Sequence, residues 1–276
     1  MRPIRRPRSG VAVAAVAAVA AVALGASTRQ SSPSIEVTYL ANMGVLLEVG
    51  DRRVVIDGLH HGELDGAPDV PPALLGPLES ATGAMRRIDV AVTTHRHLDH
   101  FAWQSVQARL AADSSLHYLA PSEAIDTLRA HRSVPRSNRV HGLTPPAGGR
   151  TDLDLGGIRV TALDLPHNPT RTPRARNVGY LVRIDGLTIL HVGDADPTAG
   201  RFAPHRLPAE KIDIAILPTW YLTGSSDLVR RHIAPRQVIA SHVWEGDTTK
   251  IKRDVRREWP NAIVLVRPGE VVRITR

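Results

Sequence analysis

Four side chains that can bind a metal ion lie within six consecutive residues of this chain. They are His95, His97, Asp99 and His100. They follow the apolar run 88–92, which predicts a buried strand, and precede residues 101–110, whose spacing is typical of an amphipathic helix. In the loop between, the first two side chains can turn toward one point while the last two face a second. Imidazole nitrogen and carboxylate oxygen are ligands of hydrolytic zinc, so the stretch predicts a metal centre rather than a polar loop with chance histidines.

Further polar residues, far away in the chain, each come directly after a predicted strand. They are Asp57, His167, Asp194 and His242. A sandwich of two sheets gathers strand ends along one edge, so we expect these residues to meet the 95–100 stretch there. His167 would then join the first two histidines, and His242 would join the later pair. With its two carboxylate oxygens, Asp194 is placed to bridge two ions, while Asp57 either orients a ligand from behind or is an ordinary turn aspartate.

The predicted elements that position these residues are mostly strands. Residues 35–56 predict an antiparallel meander of three strands, and residues 178–192 predict a hairpin around Asp185-Gly186. Residues 134–150 are rich in turn formers and predict at most one short strand. Next to the meander, His60 and His61 predict an exposed loop pair, with a position at the border of a pocket as the alternative. The order is strands then helices, twice over, which predicts two sheets packed face to face with helices outside.

The N-terminus has the composition of a targeting segment. Four arginines within residues 1–8 precede an apolar run at 11–24 and small residues at 25–27. Fourteen apolar residues are short for a bilayer span, which needs about 20, so we predict a signal peptide at 1–27, a linker at 28–34 and one large domain at 35–276. An uncleaved anchor and an alanine-rich helix are the alternatives. We therefore expect an exported protein, periplasmic or extracellular, with no membrane span after cleavage.

The charge and the cysteine content limit the kinds of partner and ligand that the protein can have. The formal charge is +8, but removal of the arginine-rich leader lowers it to +4, which does not indicate a nucleic-acid-binding protein. The absence of cysteine excludes disulfides, thiolate ligands and a lipid-anchored cysteine. A small-molecule substrate is the expected partner, and the sequence does not indicate an oligomeric state.

Taken together, the Thr-His-x-His-x-Asp-His pattern, Asp57, His167, Gly193-Asp194 and His242 resemble the metallo-β-lactamase superfamily over residues 35–276. Residues 39–44 and 191–196 are similar to its broad lactonase and phospholipase-like branch. The resemblance implies a four-layer αββα sandwich and two divalent ions, most readily zinc. The first ion would be held by His95, His97 and His167, and the second by Asp99, His100 and His242, with Asp194 between them.

The resemblance and the site together imply a hydrolase in which a metal-bound hydroxide attacks an ester, lactone or phosphodiester of a small substrate. Asp99 would also hold the nucleophile by a hydrogen bond. Arg171 and Arg176, in a basic loop after His167, are candidate contacts for an anionic group, unless that loop is simply solvated. Trp220 and Trp244 are candidates for an apolar wall, with core or rim packing as the alternative. Amide hydrolysis of the β-lactamase type and a non-catalytic, exported metal-binding protein are the other readings.

Overall fold

The structure is a computed structural model that describes residues 33–62, 66–131, 137–168, 174–244, 246 and 248–276. The predicted signal peptide at 1–27, most of the linker and Arg171 lie outside these residues, so the predictions made for them stay predictions. Ser32–Arg276 forms one compact unit. Within the described residues, no helix combines the length and the apolar character needed to cross a bilayer.

The first sheet has seven strands. In spatial order they are β14 (Val271–Thr275), β1 (Ser34–Ala41), β2 (Gly44–Val49), β3 (Arg52–Ile56), β4 (Val90–Val92), β5 (His117–Pro121) and β6 (Val140–Leu143). Pairing is antiparallel from β14 to β3 and parallel from β3 to β6. The meander expected for residues 35–56 is therefore present.

The second sheet repeats this plan. Its strands in spatial order are β13 (Ile263–Val264), β12 (Gln237–Ser241), β11 (Ile214–Pro218), β10 (Leu187–His191), β9 (Val178–Ile184), β8 (Ile158–Asp164) and β7 (Arg150–Leu155). The strands from β7 to β10 pair antiparallel and those from β10 to β13 pair parallel.

Helices cover the outer face of each sheet. They are α1 (Pro72–Ser80), α2 (Trp103–Ala112), α3 (Ser122–Ala130), α4 (Ala199–Phe202), α5 (Thr219–Gly224), α6 (Ser226–Leu228) and α7 (Thr248–Glu258). Buried side chains form three clusters: one between the sheets, and one between each sheet and its helices. In β2, for example, Val45 and Leu47 face the partner sheet while Leu46 faces the helices. Because both faces of each sheet are covered, the central strands are continuous apolar runs. The predicted αββα sandwich is confirmed.

The strand directions explain where the polar residues meet. Strands β1, β3 and β4 run in one direction in the first sheet, and β8, β10, β11 and β12 do so in the second. All of these strands except β1 are followed by candidate side chains. They are Asp57 after β3, the 95–100 stretch after β4, His167 after β8, Asp194 after β10, Trp220 after β11 and His242 after β12. In open sheets of this kind, ligands bind in the crevice outside such strand ends.

One strand was not predicted, and one local prediction was wrong in part. Strand β7 was missed because its Arg-Thr-Asp-Leu-Asp-Leu sequence contains aspartates, which are depleted in strands; its pairing with β8 overrides that preference. The expected exposed pair at 60–61 is wrong in part, because His61 is exposed whereas His60 is completely buried.

Candidate metal centre

The loop after β4 is held rigidly by hydrogen bonds from both sheets. The hydroxyl of Tyr118 donates to Thr93 Oγ1 at 2.8 Å, and that of Tyr180 donates to the Thr93 carbonyl at 2.9 Å. One residue on, the Thr94 amide donates to Asp57 Oδ1 at 2.7 Å and the Thr94 hydroxyl donates to Asp57 Oδ2 at 2.6 Å. The two threonines thus fix the start of the loop that carries four of the candidate ligands.

The first group consists of three histidines whose ring nitrogens lie within 4.8 Å of one another. They are His95, His97 and His167. His95 Nε2 is 3.0 Å from His97 Nδ1. Since the Thr94 hydroxyl hydrogen goes to Asp57, its oxygen accepts from His95 Nδ1 at 3.0 Å. That bond leaves His95 Nε2 with a free lone pair directed at the other two rings.

The second group, Asp99, His100 and His242, satisfies the same distance limit and is fully buried. His100 Nδ1 donates to Asp57 Oδ2 at 2.8 Å, which directs its Nε2 toward the carboxylates of Asp99 and Asp194. Asp99 Oδ2 lies 3.6 Å from His100 Nε2 and 3.7 Å from His242 Nε2. The Asp57 carboxylate accepts from the outer nitrogen of His100 and from Thr94, so it lies one step behind the group.

Asp194 lies between the two groups. Its Oδ1 is 3.5 Å from His100 Nε2, and its Oδ2 is 3.6 Å from His167 Nε2 and 3.3 Å from His242 Nε2. Two ligand atoms that each bind one ion at about 2.1 Å with tetrahedral angles are about 3.4 Å apart, so these separations are those of atoms that share a cation.

The electrostatics of the cluster also favour a cation. Burial would lower the pKa of His100, but Asp99, Asp194 and Asp57 together raise it to about 10. Burial would likewise raise the pKa of Asp194, but His242 and His100 hold it well below its usual range. Among the described residues, Asp99 Oδ1, Asp194 Oδ1 and His242 Nε2 are buried without a hydrogen-bond partner. Buried polar atoms of this kind are costly unless a ligand satisfies them, and the donor set suits divalent metal ions.

Three nearby residues are not among those of the predicted site. Asn42, in the turn after β1, donates from Nδ2 to Asp99 Oδ2 at 3.0 Å. His60 is buried behind the second group; burial, and then the charge of His100, lowers its pKa to about 4. His191 donates from Nε2 to the Met43 carbonyl at 3.0 Å, away from both groups. The one local signal was at Asn42, because an Asn that follows a strand suits a left-handed turn.

A cleft of about 330 Å³ opens beside the cluster. Its lining includes His167, Asp194, Asp196, Trp220 and Trp244. The Trp220 ring centre is 4.7 Å from that of His242, and the Trp244 ring centre is 5.6 Å from it. Both tryptophans therefore reach the predicted edge. Arg176 is exposed and does not line this cleft; its backbone amide instead donates to the Glu123 carboxylate at 2.6 Å.

Comparison with known proteins places the chain in a class. A β-lactamase superfamily domain model matches residues 52–249, and the chain belongs to that superfamily. A metal-dependent hydrolase of Methanoregula boonei is 24% identical over 250 residues, covering 86% of this chain and 96% of that protein. Among solved structures, the metallo hydrolase Igni18 of Ignicoccus hospitalis aligns with a TM-score of 0.58 and 19% identity, covering 87% of this chain and 98% of its own. The metallo-β-lactamase fold protein YhfI of Bacillus subtilis aligns with a TM-score of 0.60 and 14% identity, covering 87% of this chain and 99% of its own.

These matches confirm the expected class at the level of the superfamily and the fold. The names of the relatives agree with the expectation of a metal-dependent hydrolase. The bond cleaved, the substrate and the number and identity of the ions belong to the proposal that follows.

Proposed function

We propose that the protein is a two-metal hydrolase, with zinc as the most suitable ion, that cleaves an ester, lactone or phosphodiester bond of a small substrate. The observation that carries this proposal is the convergence of seven side chains around two adjoining points, with one carboxylate in contact with both. These side chains are His95, His97, His167, Asp99, His100, His242 and Asp194.

Two bound divalent ions would supply Lewis acidity, which lowers the pKa of a water molecule toward neutrality and polarises a carbonyl or phosphoryl oxygen. The chain's own residues prepare the site. Asp57 and Thr94 direct the outer nitrogens of His100 and His95 so that their inner nitrogens face the centre. Asp99 Oδ1, which is buried without a partner, can accept a hydrogen bond from the attacking water and hold its proton.

For the substrate, the cleft favours an apolar group next to the scissile bond. Trp220 and Trp244 offer flat apolar faces, and no lysine or arginine lines this cleft within the described residues. Arg171 and Arg176 stay proposed contacts for an anionic group farther from the centre, because the loop that carries them follows His167 in the chain. We also keep export as a proposal, on the strength of the basic and apolar N-terminus.

The direct test is a panel of ester, lactone, phosphodiester and β-lactam substrates on the zinc-loaded protein, beside two histidine variants. His97→Ala should bind about one ion fewer and lose hydrolysis, since ligand loss and metal loss are coupled. His117→Ala is the matched control, because His117 lies at the amino end of β5, at the opposite edge of the sheet. Unchanged turnover in His97→Ala would refute the proposal. Preference for the β-lactam would favour the amide-hydrolysis alternative, and full metal binding without turnover of any substrate would favour the non-catalytic one.

A further inference from the structure

Asn42 occupies the tight turn between β1 and β2, with φ at +49°. Asparagine tolerates this left-handed conformation better than most residues, and glycine tolerates it better still. The turn alone would leave the side chain free to face solvent, yet the residue is completely buried. The backbone conformation therefore explains why an asparagine is acceptable here but does not explain where its amide points.

The amide group of Asn42 is directed at the second group of ligands. Its Nδ2 donates to Asp99 Oδ2 at 3.0 Å and to the Asp99 main-chain carbonyl at 3.1 Å. The same nitrogen lies 3.3 Å from His100 Nε2. A carboxylate oxygen has more than one lone pair, so Asp99 Oδ2 can accept this hydrogen bond and still face the two histidine nitrogens.

The backbone of Asn42 holds the third member of the group. Its carbonyl accepts from the His242 amide at 3.0 Å and from the Ser241 hydroxyl at 2.5 Å. His242 has a φ of +57°, which is uncommon for a histidine and needs support from its surroundings. One residue of the β1–β2 turn thus contacts Asp99, His100 and His242.

We infer that Asn42 is a positioning residue that sets the affinity of the second metal position and leaves the first unaffected. The inference rests on the proposed two-metal function. Asp99 and Asp194 are two buried carboxylates beside the same histidine, at 3.6 and 3.5 Å, and would repel each other before an ion binds. The two N–H bonds of Asn42 fix the orientation of Asp99 against that repulsion. Outer contacts of this kind change metal affinity because they determine how well a ligand is preorganised.

The test compares Asn42→Gly with wild type and with Asp185→Gly. Glycine accepts the left-handed turn but removes the amide. Asp185 is the matched control, because it also has a positive φ, +46°, in the β9–β10 hairpin, far along the strands from the ligand edge. Stepwise zinc affinities are measured by competition with a chromophoric chelator, and zinc per chain is measured after dialysis. Asn42→Gly should weaken the second ion by roughly 10–100-fold and leave the first unchanged, whereas Asp185→Gly should change neither.

Each remaining outcome decides against a specific claim. A second ion bound by Asn42→Gly as tightly as by wild type overturns the positioning role and leaves the two-metal function standing. Equal weakening of both ions also overturns it, because the effect would then be a general loss of structure; retained binding of the first ion is the check on folding, since His95 and His167 come from different sheets. A wild-type protein that binds only one ion overturns the two-metal function and the inference together.

Discussion

Gly193, directly before Asp194, offers a sharp test of how tightly the ligand edge is packed. Its φ is +56°, and a Cβ placed on it would lie 2.7 Å from both Cβ and Oγ1 of Thr94 and would overlap Oδ1 of Asn177. Both neighbours are needed. Thr94 holds Asp57, and Asn177 accepts from the Asp194 amide at 3.0 Å while donating to the ends of β8 and β10. Gly193→Ala should therefore disturb both the fold and the metal centre.

The expected cost has two parts. A left-handed conformation costs a residue with a Cβ about 1–2 kcal/mol, and forcing a methyl group into packed surroundings costs about 1–3 kcal/mol more. Gly186→Ala is the matched control, since Gly186 has a φ of +83° but no atom within 4 Å of the added Cβ. Gly186→Ala should lose only the conformational part of the free energy of unfolding. The free energies of unfolding of the two variants should therefore differ by about 1–3 kcal/mol.

Urea unfolding of the metal-free proteins, followed by circular dichroism, measures these free energies. Unchanged slopes of the transition would show that the variants unfold from equally compact native states. We also expect Gly193→Ala, but not Gly186→Ala, to bind less zinc after dialysis. Equal destabilisation of the two variants would refute the steric argument, and full zinc binding by Gly193→Ala would show that the edge can relax around the methyl group.

Three further predictions follow from other contacts. Asp194→Asn keeps the side-chain shape but removes the charge between the groups, so zinc analysis should find about one ion fewer; two retained ions would argue against a bridging role. Trp220→Ala should raise KM for an apolar substrate more than it lowers kcat, and a loss confined to kcat would contradict a role in binding. Burial would raise the pKa of Glu210, but hydrogen bonds from Arg150 and Arg183 lower it overall. A carboxyl group with a lowered pKa stabilises the fold at pH values above its pKa in the unfolded chain, about 4.3, and this stabilisation is lost as the pH falls further. The difference in free energy of unfolding between wild type and Glu210→Gln should therefore shrink on acidification. A difference that stays constant with pH would refute this prediction.

The convergence of the candidate ligands could be predicted because it depends on two local patterns. The 95–100 stretch places four ligand types in one loop, and each of the other candidates directly follows an apolar run that had to be a strand. The direction of the strands brings these segments together, because β3, β4, β8, β10 and β12 all end at one edge. The proposed substrate contacts could not be predicted from local patterns of this kind. Trp220 and Trp244 reach the cleft, while the backbone amide of Arg176 donates to the Glu123 carboxylate of α3, a contact that no spacing rule indicates.

Contacts between distant segments are what sequence reasoning could not supply. Asn42 meets a ligand 57 residues later through its side chain and another 200 residues later through its backbone, and neither contact leaves a periodic signal. His60 is buried and its neighbour His61 is exposed, although the two residues are identical in type and adjacent in the sequence. A metal ligand must be one of a few residue types, so candidate ligands can be recognised in the sequence. The residues that contact the ligands are selected by their position in the fold, and an asparagine in such a position has the same sequence signature as any turn asparagine. The metal affinity of this centre is therefore set in part by residues that become visible only once the two sheets are packed together.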